Sequence, residues 1–328
     1  MQESDIRPAD LLCGYLKLCR EDAITYFEKS VREDIPCPAC ESSQVIYAFE
    51  KWGFGYVVCD ECGSLYQSPR PSRESFARFY QESPSARYWA ETFFPAIAEA
   101  RRLSLFRPKV KEIAGLCRDD HFVPNTVVDI GAGWGLLLEE WRRSFPKTNL
   151  VAIEPNPDLA EICRSKDFKV AECFAEEAVE LCGQADLAIA LEVIEHVQEP
   201  LSFCCSLKKL LRDGGKILLT GLTVDGFDIQ VLWDQSKAVS PPHHINFLSI
   251  AGYKRLLDRA GFSNVRIFTP GKLDVDIVKN AWVENPELFA GHRFFRHLMT
   301  RDEDVLQAFQ QFLSEHRLSS HCWIWATR

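Results

Sequence analysis

Four cysteines stand in two pairs, Cys37-Pro-Ala-Cys40 and Cys59-Asp-Glu-Cys62. Two thiolates set two residues apart in a tight turn can both reach one metal ion, and a second such turn completes a tetrahedron. Eighteen residues lie between the pairs, a spacing that fits zinc held by two knuckles. Four thiol ligands leave no open coordination position, so the expected role of the ion is structural. Residues 35–70 are too few to bury much apolar surface. The metal is therefore expected to supply most of that segment's folding free energy.

A second constellation lies further along. Val127-Val128-Asp129-Ile130-Gly131-Ala132-Gly133-Trp134-Gly135 ends an apolar run on an acid and enters a glycine turn. Gly131 and Gly133 let the backbone turn sharply and approach a ligand closely. Glu154 follows the next apolar run, about twenty residues beyond the loop, where a carboxylate accepts both hydroxyls of a ribose. A dinucleotide fingerprint requires a third glycine at 136, and the chain has Leu136 there. Asp129 is instead placed to pair with the amino group of a methionine moiety. Two histidine groups complete the inventory. Glu192-Val-Ile-Glu195-His196 follows an apolar run, and Pro241-Pro-His243-His244 lies in a Pro-rich loop. Either can supply a general base.

These residues need rigid elements behind them. Residues 8–30 place Leu11, Leu12, Tyr15, Leu16, Cys19 and Phe27 at helical spacing. Residues 35–70 carry short β-prone runs such as Val45-Ile46-Tyr47. From 71 to 117 the pattern is helical again, with Ser72 suited to a helix start. From 125 on, strands and helices alternate. Strands are expected at 126–130, 150–153, 168–171, 185–191, 216–220, 262–268 and 321–327. Helices are expected between them, and 274–316 reads as mostly helical. Such alternation predicts an α/β fold with a mostly parallel sheet covered on both faces. The expected organisation is an N-terminal helix at 1–34, a zinc-binding module at 35–70, a helical connector or lid at 71–120, and a ligand-binding domain at 121–328 with a helical insertion at 270–318.

Segment 127–135 resembles the first motif of class I S-adenosylmethionine-dependent methyltransferases. Ala152-Ile-Glu154-Pro155 resembles the second. Residues 185–197 resemble the fourth-strand segment with its Glu-His sequel, and Leu210-Leu-Arg-Asp-Gly-Gly215 resembles the turn before the fifth strand. The resemblance implies a Rossmann-like seven-stranded sheet with one antiparallel strand, for which 321–327 is the candidate. It implies S-adenosyl-L-methionine as methyl donor, contacted by Asp129, Gly131, Gly133, Trp134, Glu154, Pro155, Phe174, Leu191 and Glu192. A zinc-ribbon-like N-terminal module joined to this fold, with Ser68-Pro-Arg-Pro-Ser72 and Phe79-Tyr80, is similar to sugar and polysaccharide methyltransferases. That likeness implies a small polar acceptor, a sugar, sugar nucleotide or glycan intermediate. It makes His244 the foremost candidate base, with His243 and His196 beside it, and Tyr80 and Tyr88 candidate acceptor contacts. In that group an acid precedes the histidine; here His243 stands in its place. The Glu-x-x-Glu-His sequel is also shared with ubiquinone-type O-methyltransferases, in some of which these side chains bind a divalent metal.

Bulk properties narrow the partners. The formal charge is −9 at pH 7, which opposes long-range attraction to phosphate backbones and anionic membranes. Residues 35–70 hold only Lys51 and Arg70 as basic residues. Nucleic acid is thus not the expected partner, although ribosomal or transfer RNA base methylation is the main alternative. A ubiquinone-type small-molecule O-methyltransferase and a donor-binding subunit without catalysis are the others. No apolar run reaches the ~20 residues of a membrane span. Met1 to Asp10 has no signal-peptide core. The remaining nine of thirteen cysteines are scattered, as expected of reduced thiols in a cytoplasmic protein.

Overall fold

A computed structural model describes residues 2–328. In chain order the main elements are α1 (Ala9–Phe27), β1 (Val45–Lys51), β2 (Phe54–Cys59), β3 (Leu65–Gln67), α2 (Arg73–Glu82), α3 (Pro84–Tyr88), α4 (Arg107–Asp119), β4 (Thr126–Ile130), α5 (Leu136–Ser144), β5 (Asn149–Ile153) and α6 (Pro157–Ser165). They continue with β6 (Lys169–Ala171), β7 (Ala185–Leu191), α7 (Pro200–Leu210), β8 (Leu211–Leu222), α8 (Phe227–Leu232), β9 (Asn246–Phe247), α9 (Ile250–Arg259), β10 (Ser263–Phe268), α10 (Asp274–Glu284), α11 (Glu303–Glu315) and β11 (His321–Thr327). Two compact units emerge. One comprises residues 1–93, 222–252 and 267–323; the other comprises 94–221, 253–266 and 324–328.

The second unit is built on a seven-stranded sheet ordered β10-β11-β8-β7-β4-β5-β6. The pairs β8·β7, β7·β4, β4·β5 and β5·β6 are parallel. β11 runs the other way beside β8, since Arg328 N–H donates to Gly215 while Thr223 N–H donates to Ser320. Four of the five residues of β4 and six of the seven of β7 are buried, as strands covered on both faces must be. Asp186 interrupts the apolar run of β7. Its carboxylate accepts the N–H groups of Asn125 and Thr126 at 2.8 and 2.7 Å, tying down the start of β4. Ile130 lies opposite Ile153 and Ala190, and Thr220 opposite Leu191. The loops that follow β4, β5, β7 and β8 therefore emerge along one edge, the usual ligand edge of an open α/β sheet. The turn expected at Asp213-Gly214-Gly215 lies within β8 as an irregularity between Leu211 and Lys216, with Gly214 at φ +73°.

The first unit holds an antiparallel sheet ordered β9-β3-β2-β1. Its core corrects the expectation that residues 35–70 bury little apolar surface. Phe49, Phe54, Tyr56 and Leu65 are buried in one cluster with Phe27 of α1, Phe76 and Phe79 of α2, and Ile245 and Phe247 at β9. The fourth strand and both helices come from outside the segment, so its apolar face is covered by chain that linear reading did not attach to it. A separate cluster around Val278, Met299, Leu306 and Leu313 organises the helices after residue 273.

Candidate active site

The glycine loop between β4 and α5 is held in one shape by the strand beside it. The N–H groups of Gly131 and Ala132 donate to the Ile153 carbonyl at 2.8 and 3.3 Å. Gly131 and Gly133 have φ of +69° and +53°, a region that side chains with a Cβ rarely enter. A side-chain carbon at Gly133 would meet nothing within 4 Å, whereas one at Gly131 would meet Val193 at 3.0 Å. The face of Gly133 is therefore an open cradle, and the segment after β7 forms its wall. Lys166 donates to the Trp134 carbonyl at 2.7 Å, and the Trp134 indole stacks on Phe94 with centroids 5.6 Å apart. Its Nε1–H is buried without a partner among the described residues.

Two acids flank this loop. Asp129 is 3% exposed and Glu154 5%. Glu154 accepts the Gly133 N–H at 2.8 Å and the Asn156 N–H at 2.9 Å, one on each oxygen. A carboxylate has about four acceptor sites, so two remain for a ligand's hydroxyls. Burial raises both carboxyls above the usual range. At Asp129 the nearby Glu154 charge adds to the rise, and at Glu154 the two N–H donors oppose it. A buried carboxyl with raised proton affinity becomes an anion most readily when a cation arrives. The chemistry thus fits a nucleoside joined to an amino acid: an ammonium for Asp129, ribose hydroxyls for Glu154, and an open glycine face between them.

Glu192 and Glu195 form a third acidic group in the same unit. Glu192 sits at φ +54° and is fixed by Thr220, whose hydroxyl bonds its carboxylate at 2.7 Å. Lys109 of α4 stands 3.8 Å from that carboxylate. Burial lowers the lysine's proton affinity, and the Glu192 charge works against that. Glu195 is 1% exposed, and its carboxyl is raised by burial and by Glu192. Gly221 leaves room for it, because a Cβ there would lie 3.1 Å from Glu195 Oε2 and 2.9 Å from the Tyr253 hydroxyl. Lys109 and Thr220 carry no sequence motif, which is why pattern reading missed them. His196 follows on a single 3-10 turn, half-buried. Pro155 and Phe174 are exposed beyond β5 and β6, and Leu191 is half-buried at the end of β7.

In the first unit the four cysteine sulfurs lie within 4.8 Å of one another. Cys37 and Cys62 are 3.6 Å apart, and Cys40 and Cys59 3.5 Å. A tetrahedron with Zn–S bonds of ~2.3 Å has edges of about 3.8 Å, so the donor set fits that ion. Both knuckles share one turn. Glu41 N–H donates to Cys37 O and Gly63 N–H to Cys59 O, each at 2.8 Å, with left-handed residues at φ +63° and +73°. The histidine loop is anchored to this module through β9 and through the Tyr56 hydroxyl, which donates to the His244 carbonyl at 2.7 Å. His244 Nδ1 lies 2.6 Å from the Ala238 carbonyl. A carbonyl only accepts, so Nδ1 carries the proton and Nε2 is the basic nitrogen. His243 is buried against Phe79 and Tyr80. Tyr88 lies against Gly14 of α1, where an added Cβ would be 2.9 Å from its hydroxyl.

The family model described as "Methyltransferase domain" matches residues 97–267, just over half of the chain. A malonyl-[acyl-carrier protein] O-methyltransferase of Hahella chejuensis is 28% identical over 167 residues, covering 49% of this chain and 58% of that protein. A tRNA U34 carboxymethyltransferase of Pseudoalteromonas translucida is 30% identical over 171 residues, covering 50% of this chain and 52% of that protein. The chain thus spans little more than half the length of these two relatives. Among solved structures, the plantazolicin methyltransferase BpumL, in complex with a monoazolic desmethylPZN analog and SAH, has a TM-score of 0.51. It is 12% identical, with 77% of this chain and 93% of that chain covered, and it bears on the fold alone. With the glycine loop, its two buried acids and the family match in agreement, the chain belongs to the methyltransferase-domain family.

Proposed function

We propose that the chain transfers the methyl group of S-adenosylmethionine to a small polar acceptor of carbohydrate type: a sugar, sugar nucleotide or glycan intermediate. When bound, the donor supplies a methyl on a sulfonium, an electrophile that needs a nucleophile held in line with it. In this reading Asp129 pairs with the donor's ammonium and Glu154 accepts the ribose hydroxyls. The glycine loop, Trp134, Pro155, Phe174, Leu191 and Glu192 frame the remainder. A hydroxyl acceptor must lose a proton. His244, His243 and His196 are the groups proposed to take it, and Tyr80 and Tyr88 are proposed acceptor contacts. Zinc in the four-cysteine cluster is structural and steadies the loop that carries His243 and His244.

The observation that carries the reading is the cysteine module's hold on that loop. The strand β9, which begins two residues after His244, is part of the module's own sheet, so the knuckles and a potential base form one body. The same pairing of module and fold underlies the sequence likeness to sugar methyltransferases. The net charge of −9 weighs against an RNA acceptor, which relies on phosphate neutralisation.

The test is release of S-adenosylhomocysteine by the full chain, assayed with sugar nucleotides, free hydroxylated small molecules, malonyl-acyl-carrier protein and transfer RNA. Turnover with the sugar nucleotides is expected, and it should fall at least tenfold in His244→Gln. Turnover confined to transfer RNA or to the acyl-carrier protein would overturn the acceptor assignment.

A further inference from the structure

We propose that Asp22 and Ser85 are positioning residues that set the tautomer and proton affinity of His243 through a buried hydrogen-bonded chain. This rests on the reading above that His243 handles a proton, and it assigns work to two residues outside every motif.

The chain of contacts begins on α1. Tyr15, Cys19 and Asp22 are spaced by four and three residues, which places them on one helical face. That face turns inward: Cys19 is 0% and Asp22 2% exposed. Ser85 on α3 is 0% exposed and His243 6%. Asp22 Oδ2 accepts the Ser85 N–H at 2.9 Å, and a side-chain hydrogen bond from Ser85 opposes the rise that burial gives its carboxyl. Ser85 Oγ lies 2.8 Å from His243 Nε2. In the proposed arrangement the serine hydroxyl donates to Asp22 and its oxygen accepts from the imidazole. The proton of neutral His243 therefore sits on Nε2, and Nδ1 becomes the basic nitrogen.

Packing holds that geometry. The His243 ring is edge-on to Phe79 at 4.8 Å and to Tyr80 at 6.5 Å, and tilted against Tyr15 at 5.5 Å. The Cys19 thiol bonds both Tyr15 and Ser85, and burial pushes it up to about 12, so it stays a neutral partner. The remaining charge on Asp22 is Glu21, which raises it slightly beyond what burial does. The titratable groups along this chain of contacts are Tyr15, Cys19, Glu21 and Asp22 on α1 and Tyr80 on α2. A carboxylate this buried is costly unless its hydrogen bonds are used. A purely packed contact between these helices would be better made by apolar side chains. The arrangement parallels the way a buried acid fixes a catalytic imidazole, with a serine hydroxyl inserted between acid and ring.

The experiment is ¹⁵N NMR of the full chain carrying labelled histidine, with His243 assigned through His243→Gln and followed from about pH 5 to 9. Wild type is expected to show the Nε2–H tautomer. Ser85→Ala and Asp22→Asn should mix the tautomers and lower the ring's proton affinity about tenfold, one pH unit. Ser85→Thr keeps the hydroxyl and should keep the wild-type signal. Thermal unfolding of each variant separates a folding defect from a local one. An Nδ1–H tautomer in wild type would overturn the proposal without any variant. So would an unchanged signal in folded Ser85→Ala. If the NMR result holds while His243→Gln retains full methyl transfer, the relay stands and the assignment of His243 as proton acceptor falls.

Discussion

At the scale of single residues, the site depends on carboxyls that are buried before any ligand arrives. Asp129 is raised by burial first and by the Glu154 charge second. Its protonated form is therefore favoured above the ordinary carboxylate range. Pairing with a ligand ammonium requires the anion, so binding must release that proton. Affinity for S-adenosylhomocysteine should then rise with pH through the raised titration of Asp129, by up to about tenfold per pH unit. Calorimetry across pH 5 to 8 measures this directly. Asp129→Asn should bind more weakly and lose the slope; an equal slope in the variant would place the proton elsewhere. Much of this was legible early. An acid at the end of β4, a glycine turn and a second acid after β5 were all visible because their chemistry sits in a short contiguous segment. Lys109, Thr220, Asp22 and Ser85 were not. Each acts through a partner distant in sequence, Ser85 through His243 for one, and no local pattern announces such a pair.

At the scale of elements, two joints carry testable energy. The first is the contact of α8 with α10, where Asp228 and Asp274 meet. Asp274 accepts the Ser320 N–H at 2.7 Å and the Gln310 side-chain amide at 2.8 Å. Burial, then the Asp274 charge, pushes the Asp228 carboxyl up to about 8. The folded state thus prefers the protonated acid. Its contribution is fully present below the unfolded value near 4 and is lost as pH rises through about 8. Thermal unfolding between pH 5 and 9 should show falling stability, at no more than about 1.4 kcal/mol per pH unit from this group. Asp228→Asn should flatten the decline, and a variant with the wild-type slope would refute the assignment. The second joint is the cysteine module. The purified, reduced chain should hold about one zinc, and Cys59→Ser should lose it and unfold at lower temperature. Because Phe49, Phe54, Tyr56 and Leu65 share a core with α1 and α2, helical signal should largely survive metal loss. Complete unfolding on chelation would contradict that core's part. Sequence pattern marked β1 and β2 of this module but neither Leu65–Gln67 nor its fourth strand, Asn246–Phe247. Two residues carry no periodicity, and their pairing with β3 is a long-range event.

At the scale of the whole molecule, alternating strands and helices specified a parallel sheet covered on both faces, since such strands must read as apolar runs, and the family likeness implied its seven strands. Family likeness made His321–Thr327 the candidate antiparallel strand, and the sheet has it antiparallel, beside β8. The interleaving of the two compact units along the chain has no local signature, because it is set by contacts among distant segments. No helix among the described residues is long and apolar enough to cross a membrane. With a net charge of −9, the chain should show no tight, salt-sensitive retention of total RNA in a gel shift; such retention would favour the RNA reading. The claim beneath all of this is that Asp129 and Glu154 grip one donor across the open face of Gly133. It is tested most directly by titrating S-adenosylhomocysteine into the intact protein and into Asp129→Ala and Glu154→Ala. Binding at one site per chain is expected in wild type, weakened at least tenfold in either variant while the fold is kept. Absent binding in wild type, or undiminished binding in both variants, would contradict it.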